Sequence, residues 1–249
     1  MDNDQEAWFR HLGPADPGAP RLVCFPHAGG AATYFGPVAR ALAPAVDVVA
    51  VQYPGRQDRR GEPGVGDLGE LADRVHGLMA AWPAGSLTLF GHSMGALVAF
   101  EVARHFESAG NPIRALFVSS CAAPGRMRSE YFRDMSDDEM VKFLIDLSGT
   151  DPKVLENKEF MDLLMPPLRG YYNAIAGYTP PPGATLSCPI HAFVGTDDRL
   201  ASLDSVSGWA EHTAADFTVR AFEGDHFYFA EHLPDVVKEV ETKFGGQLV

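Results

Sequence analysis

Along most of the chain, short apolar runs alternate with longer stretches in which apolar positions recur every three or four residues. The runs at 21–25, 46–51, 87–91, 113–119, 189–195 and 217–222 predict strands. Several of them, VDVVAV and ALFVSS included, are nearly continuous in β-branched and apolar residues. That composition belongs to strands covered on both faces. Between them the spacing predicts helices over 35–43, 68–82, 95–109, 203–212 and 234–244. In the second, Leu71, Val75, Leu78, Met79 and Trp82 share one face, Asp73 and Arg74 fall between them, and Asp67 stands at the N-cap position. Strand followed by helix, repeated, predicts an α/β protein with a mostly parallel central sheet flanked by helices.

The alternation breaks between about 122 and 186. This strand-poor stretch contains Ser136-Asp-Asp-Glu139, which has the form of a capping box and opens a helix. A second helical stretch over 157–178 is interrupted by Pro166-Pro167, and Thr179-Pro-Pro-Pro-Gly183 stiffens the return to the sheet. A helical insertion at this point is expected to form a lid over a pocket. The whole chain, insertion included, reads as one domain over 1–249, without internal repeats.

Within this frame, Gly91-His92-Ser93-Met94-Gly95 follows the strand-like SLTLF and opens the helical ALVAFEVARHF. A G-x-S-x-G sequence between strand and helix is the nucleophile elbow of the α/β-hydrolase fold. It lifts the Ser93 hydroxyl to the strand's carboxyl end and aims the Met94 N–H at the same place. A serine hydroxyl is nearly inert at neutral pH until a base takes its proton, and in this fold the chain order is Ser, acid, His. His226, in Glu223-Gly-Asp-His-Phe227 after the strand TVRAF, is the expected base. His212 and His232 fall in helical surroundings and read as ordinary surface histidines. The acid belongs in Gly195-Thr-Asp-Asp-Arg199, where G-x-x-D spacing favours Asp198 over Asp197. Asp225, adjacent to His226, is a weaker candidate. A second oxyanion donor is expected from the loop Pro26-His-Ala-Gly-Gly30 after the first parallel strand, with the Ala28 N–H as donor.

Bulk properties narrow the partners. The 249 residues are 46% hydrophobic and 21% charged, which is ordinary globular composition. No apolar run reaches the roughly 18 residues of a membrane span, so no membrane association is expected. The net charge of −13 disfavours nucleic acid. Cys24, Cys121 and Cys188 are far apart in strand-like surroundings and read as buried thiols, not a disulfide framework or a zinc site. MDNDQEAWFR lacks the basic and apolar parts of a secretory signal, which makes the cytoplasm the expected location. Arg56, Arg59 and Arg60 form a short basic cluster, read as solvated surface or, alternatively, as a docking contact for an acidic partner shared with Arg126 and Arg128.

FPHAGG at 25–30, YPGRQDR at 53–59, GHSMG at 91–95 and GDHFYF at 224–229 together resemble the type II thioesterases, the stand-alone editing enzymes of polyketide synthases and nonribosomal peptide synthetases. The resemblance spans about residues 20–244. It implies a triad of Ser93, Asp198 and His226, an oxyanion hole from the Ala28 and Met94 amides, and acyl release from the phosphopantetheine arm of acyl or peptidyl carrier proteins. It further implies an acyl pocket under the lid, for which Phe143, Leu144, Leu147, Leu163, Leu164 and Met165 are apolar candidates, with His27, Arg56 and Phe227 as further substrate contacts. No metal or cofactor is expected, since the pantetheine arm belongs to the substrate, and the protein is expected to be a monomer. A general carboxylesterase or lipase, or an acyltransferase on the same triad, is the alternative.

Overall fold

The structure, a computed structural model, describes residues 3–127, 132, 135–147 and 157–244. Seven strands form one sheet: β1 (Phe9–His11), β2 (Arg21–Phe25), β3 (Asp47–Val51), β4 (Leu87–His92), β5 (Ala115–Ser119), β6 (Ile190–Gly195) and β7 (Phe217–Phe222). Their order across the sheet is β1-β3-β2-β4-β5-β6-β7, and every neighbouring pair is parallel except β1 with β3. The helices are α1 (Asn3–Trp8), α2 (Gly36–Leu42), α3 (Leu68–Met79), α4 (Met94–Ser108), α5 (Asp137–Asp146), α6 (Lys158–Gly177), α7 (Leu203–Ser207) and α8 (Leu233–Phe244).

The two-residue period of the strands divides the core. Leu22 and Cys24 of β2 pack with α2 and α8, whereas Val23 and Phe25 pack with α3 and α4. Phe90 and Phe117 join the first layer, Leu89 and Val118 the second. Both faces of the central strands are therefore buried, which is why their sequences show no polar alternation. The expected N-cap at Asp67 is present, its side chain accepting a hydrogen bond from the Glu70 N–H at 2.9 Å. The capping box of Ser136 and Glu139 opens α5.

The structure departs from expectation at two places. The N-terminal helix and β1 were invisible in the pattern because each is too short to show a period. β1 pairs antiparallel at the sheet edge, Phe9 opposite Val51, with Trp8 and Phe9 buried. At Pro166-Pro167 the expected interruption is absent, and α6 runs through both prolines for 20 residues. The carbonyls deprived of a donor belong to Asp162 and Leu163, which are exposed, so water can serve them. On the inner side Pro167 fills the space left by two glycines: an added Cβ at Gly55 would lie 2.5 Å from its Cβ, and one at Gly64 2.7 Å from its carbonyl oxygen.

Because β2, β4, β6 and β7 are parallel, their carboxyl ends open on one edge of the sheet. The loops there carry His27–Gly30, Ser93, Asp198 and His226 in turn. Four segments distant in sequence meet for topological reasons alone.

Candidate active site

Ser93 joins β4 to α4 with φ 54° and ψ −124°, a left-handed conformation that non-glycine residues rarely adopt. Two hydrogen bonds hold it: its N–H donates to the Ser119 carbonyl at 2.8 Å, and its carbonyl accepts from the Ala96 N–H at 2.9 Å. Gly95 permits the close approach on which the site depends. A Cβ there would lie 1.9 Å from the Phe25 carbonyl oxygen. Only without one can the amino end of α4 rest against the end of β2. The Met94 amide, one of the unpaired donors at a helix start, thus lies beside the loop of residues 26–30. In that loop the Gly30 N–H donates to the His27 carbonyl at 2.9 Å. A trans peptide sets N–H and C=O opposite each other, so this bond turns the Ala28 N–H away from the tight turn.

His226 and Asp198 form a buried pair. The imidazole Nδ1 lies 3.1 and 3.0 Å from the two Asp198 carboxylate oxygens, with side-chain exposures of 3% and 0%. A ring nitrogen facing a carboxylate donates its proton to it, leaving Nε2 as an acceptor. Asp198 Oδ1 also accepts from the Leu200 N–H at 2.9 Å and the Ala201 N–H at 3.2 Å, which fixes its orientation. Asp197 is exposed, and its backbone N–H donates to the Gly224 carbonyl at 2.8 Å, pinning the acid loop to the histidine loop. Asp225 accepts from the Phe227 N–H at 2.7 Å and so builds the turn. Of the three aspartates, Asp198 is the one on His226.

Ser93, Asp198 and His226 line one cavity of about 550 Å³, together with Ala28 and Met94. Phe143, Leu144 and Leu147 on or beside α5 supply part of its apolar wall, and Leu164, Leu168 and Tyr172 of α6 supply another part. His27 and Phe227 stand at the same wall, their rings 5.0 Å apart. Two expected pocket residues do not belong to it: Leu163 is 54% exposed on the outside of α6, and Met165 is buried elsewhere. Helical phase accounts for both, since Leu164 and Leu168 occupy the inner face at a spacing of four.

The basic cluster is not a surface patch. Arg56 and Arg59 are 4% and 8% exposed, and of the three only Arg60 faces water. Arg59 donates to the Gln52 carbonyl at 2.8 Å, pairs with Glu62 at 2.6 Å and lies over the Trp8 ring. Arg56 donates to the Ala28 carbonyl and does not line the cavity. Backbone carbonyls and aromatic faces, which local sequence does not reveal, draw both guanidinium groups inward. Arg126 lies at the cavity, ion-paired to Glu211 at 2.5 Å, and Arg128 lies outside the described residues.

The sequence reading missed a hydrogen-bonded chain beneath the site. His92 Nδ1 lies 2.9 Å from Ser119 Oγ, which lies 2.7 Å from the Tyr228 hydroxyl, while Ser120 Oγ donates to the His226 carbonyl at 3.0 Å. These residues couple the elbow, the end of β5 and the histidine loop. No motif marks them, because a Ser-Ser pair at a strand end is unremarkable until the neighbouring loop is placed. Burial holds the His92 imidazole neutral, its pKa far below the ordinary value. His27 is pushed down to about 3, chiefly by burial and further by His226 and Arg56. Among the described residues, His226 is thus flanked by two histidines that carry no charge at neutral pH.

A serine on the sharp turn after a central parallel strand, facing an Asp–His pair drawn from the loops after two later strands, places this fold among the α/β-hydrolases. Comparison with known proteins narrows the class. The family model of the Thioesterase domain matches residues 20–244, and the chain belongs to that family. Thioesterase TesA of Mycobacterium marinum is 44% identical over 225 residues, covering 90% of each chain. Thioesterase PikA5 of Streptomyces venezuelae is 40% identical over 242 residues, covering 96% of this chain and 86% of the other. Among solved structures, the type II thioesterase BorB from the borrelidin biosynthetic cluster superposes with a TM-score of 0.88 at 45% identity, over 96% of this chain and 98% of that one. The RedJ thioesterase of the prodiginine pathway in Streptomyces coelicolor gives 0.86 at 34% identity, over 93% of both. The protein is a hydrolase acting on thioesters.

Proposed function

We propose that this thioesterase removes acyl groups from the phosphopantetheine arm of acyl or peptidyl carrier proteins, clearing stalled polyketide or nonribosomal peptide synthases. Ser93 serves as nucleophile, His226 as base and Asp198 as its orienting acid. The observation that carries this reading is the buried His226–Asp198 hydrogen bond opening on the same apolar cavity as the strained Ser93. Relatives from borrelidin and prodiginine biosynthesis support the carrier-protein substrate. A cytoplasmic setting belongs to the same reading, supported by three cysteines that are free and buried.

The chemistry follows from the groups present. As Ser93 Oγ bonds to the thioester carbon, its proton passes to His226 Nε2 and the carbonyl electron pair moves onto oxygen. The Ala28 and Met94 N–H groups receive that oxyanion. Asp198 keeps the imidazole in the required tautomer and stabilises the imidazolium. Collapse expels pantetheine thiolate, which takes the proton from His226. Water then attacks the acyl-serine, giving its proton to the same nitrogen, and the second collapse returns that proton to Ser93 Oγ and frees the carboxylic acid. A thiolate leaves readily, so activation of the nucleophile and stabilisation of the oxyanion carry most of the barrier reduction. The acyl chain would lie against Phe143, Leu144 and Phe227, with His27 beside the reacting carbonyl.

The test is to load a carrier protein with several acyl groups and follow release by intact mass, beside matched acyl-pantetheine thioesters and oxygen esters. Release from the carrier exceeding oxygen-ester hydrolysis supports the proposal. Faster turnover of oxygen esters than of both thioesters overturns it in favour of a general esterase, and transfer to an added alcohol in preference to water would make the protein an acyltransferase.

A further inference from the structure

Arg56 is a buried cation, 4% exposed, with no counter-ion among the described residues. One guanidinium nitrogen donates to the Ala28 carbonyl oxygen, and among the described residues Nε has no hydrogen-bond partner. The guanidinium carbon lies 5.2 Å from the centroid of the Tyr171 ring on α6. Taking a cation out of water is costly unless its field or its donors are used. Its segment is also tightly held. Tyr171 Oη donates to the Pro54 carbonyl at 2.9 Å, and Gln52 Nε2 donates to the Arg56 carbonyl at 3.1 Å. The other end of the Gln52 amide accepts from the Ala32 N–H at 2.8 Å, tying the same segment to the chain just past Gly30.

We propose that Arg56 is the positioning residue of the oxyanion hole, acting through the Ala28 carbonyl; this rests on the reading of Ala28 as an oxyanion donor. The Gly30 N–H sets the plane of the His27–Ala28 peptide through the His27 carbonyl. The Arg56 guanidinium sets the next plane through the Ala28 carbonyl. With both planes fixed on either side of the Ala28 Cα, its N–H cannot turn out of line. The positive charge, one peptide away, also presents a field of the sign that favours a developing oxyanion. A planar fork can grip a carbonyl while stacking on Tyr171, which an ammonium cannot do.

The experiment compares the parent enzyme with Arg56→Met and Arg56→Lys. Four quantities are read: kcat and KM on an acyl-pantetheine thioester, the Kd of an alkyl boronic acid that forms a tetrahedral anion on Ser93, and the Kd of the matching unreactive acyl-pantetheine amide. Arg56→Met is expected to lose roughly 10²-fold in kcat, the scale of one lost oxyanion donor, with KM nearly unchanged. Boronate affinity should fall in parallel and amide affinity should hold. Arg56→Lys should recover part of both losses. Parent-like kcat in Arg56→Met overturns the proposal, as does an equal decline in boronate and amide affinity, which would mark a merely structural role. Should Arg56→Met not fold, parent-like kcat and boronate affinity in Arg56→Lys overturn it. Failure of the parent to bind boronate at Ser93 would instead defeat the assignment of the site.

Discussion

Between Asp197 and Asp198 the chain passes from water to a fully buried cage of hydrogen-bond donors. Asp198 receives His226 and two backbone amides, whereas Asp197 contributes its own N–H to the Gly224 carbonyl. Asp198→Asn should therefore lower kcat by up to about 10⁴-fold through the wrong imidazole tautomer. Asp197→Asn should stay within about twofold of the parent, as an exposed substitution; steady-state kinetics on one thioester decides, and equal losses would contradict the assignment. At this scale the sequence was legible where a motif ties residue type to backbone geometry, as at Ser93 and His226. It was illegible at Arg56 and Arg59, because the carbonyl and aromatic partners that bury them lie on other elements.

The elements depend on contacts that only missing side chains permit. At Gly195 a Cβ would lie 2.2 Å from the Asp225 carbonyl oxygen and 2.5 Å from that of Gly224. Gly195→Ala should push the acid loop off the histidine loop, costing about 1–3 kcal/mol of stability by overpacking and at least ~10-fold in kcat. Thermal unfolding and kinetics read these separately, and a variant with parent-like values in both would show that the loops are not so coupled. On α6, Leu164→Ala should raise KM for medium-chain thioesters by roughly 10-fold through lost apolar contact, while Leu163→Ala, on the exposed face, should leave KM unchanged. Equal effects would mean that the wall of the cavity is misassigned. The central strands were readable to within about two residues, being buried on both faces. The continuous α6 was not, since the proline rule is local and the exposed carbonyls and the Gly55–Pro167 contact that relax it are not.

For the whole molecule, buried neutral histidines contribute to the response to acid. His191, 5% exposed on β6, is pushed down to about 4 by burial first and by Lys243 next, from an ordinary 6.5. Between those values the unfolded chain binds a proton that the native protein refuses, so stability falls as the pH drops from about 6.5 to about 4. His27, at about 3, acts in the same direction. His191→Gln should flatten the dependence of Tm on pH across that window, and an unchanged slope would remove His191 as a cause. The mostly parallel sheet and the meeting of the loops at one edge were legible because the alternation of strand and helix dictates both, whereas the order of the strands across the sheet came only from the structure. The size of the cavity was not legible, since it depends on how α5 and α6 cross the edge.

The most direct measurement is covalent: titrate the enzyme with a serine-directed alkyl phosphonate, map the adduct by peptide mass spectrometry, and measure thioester turnover on the same samples. One phosphonyl group on Ser93, with turnover lost in proportion to its occupancy, is the predicted result. Undiminished turnover with Ser93 fully modified, or an adduct confined to another residue, would contradict the mechanism.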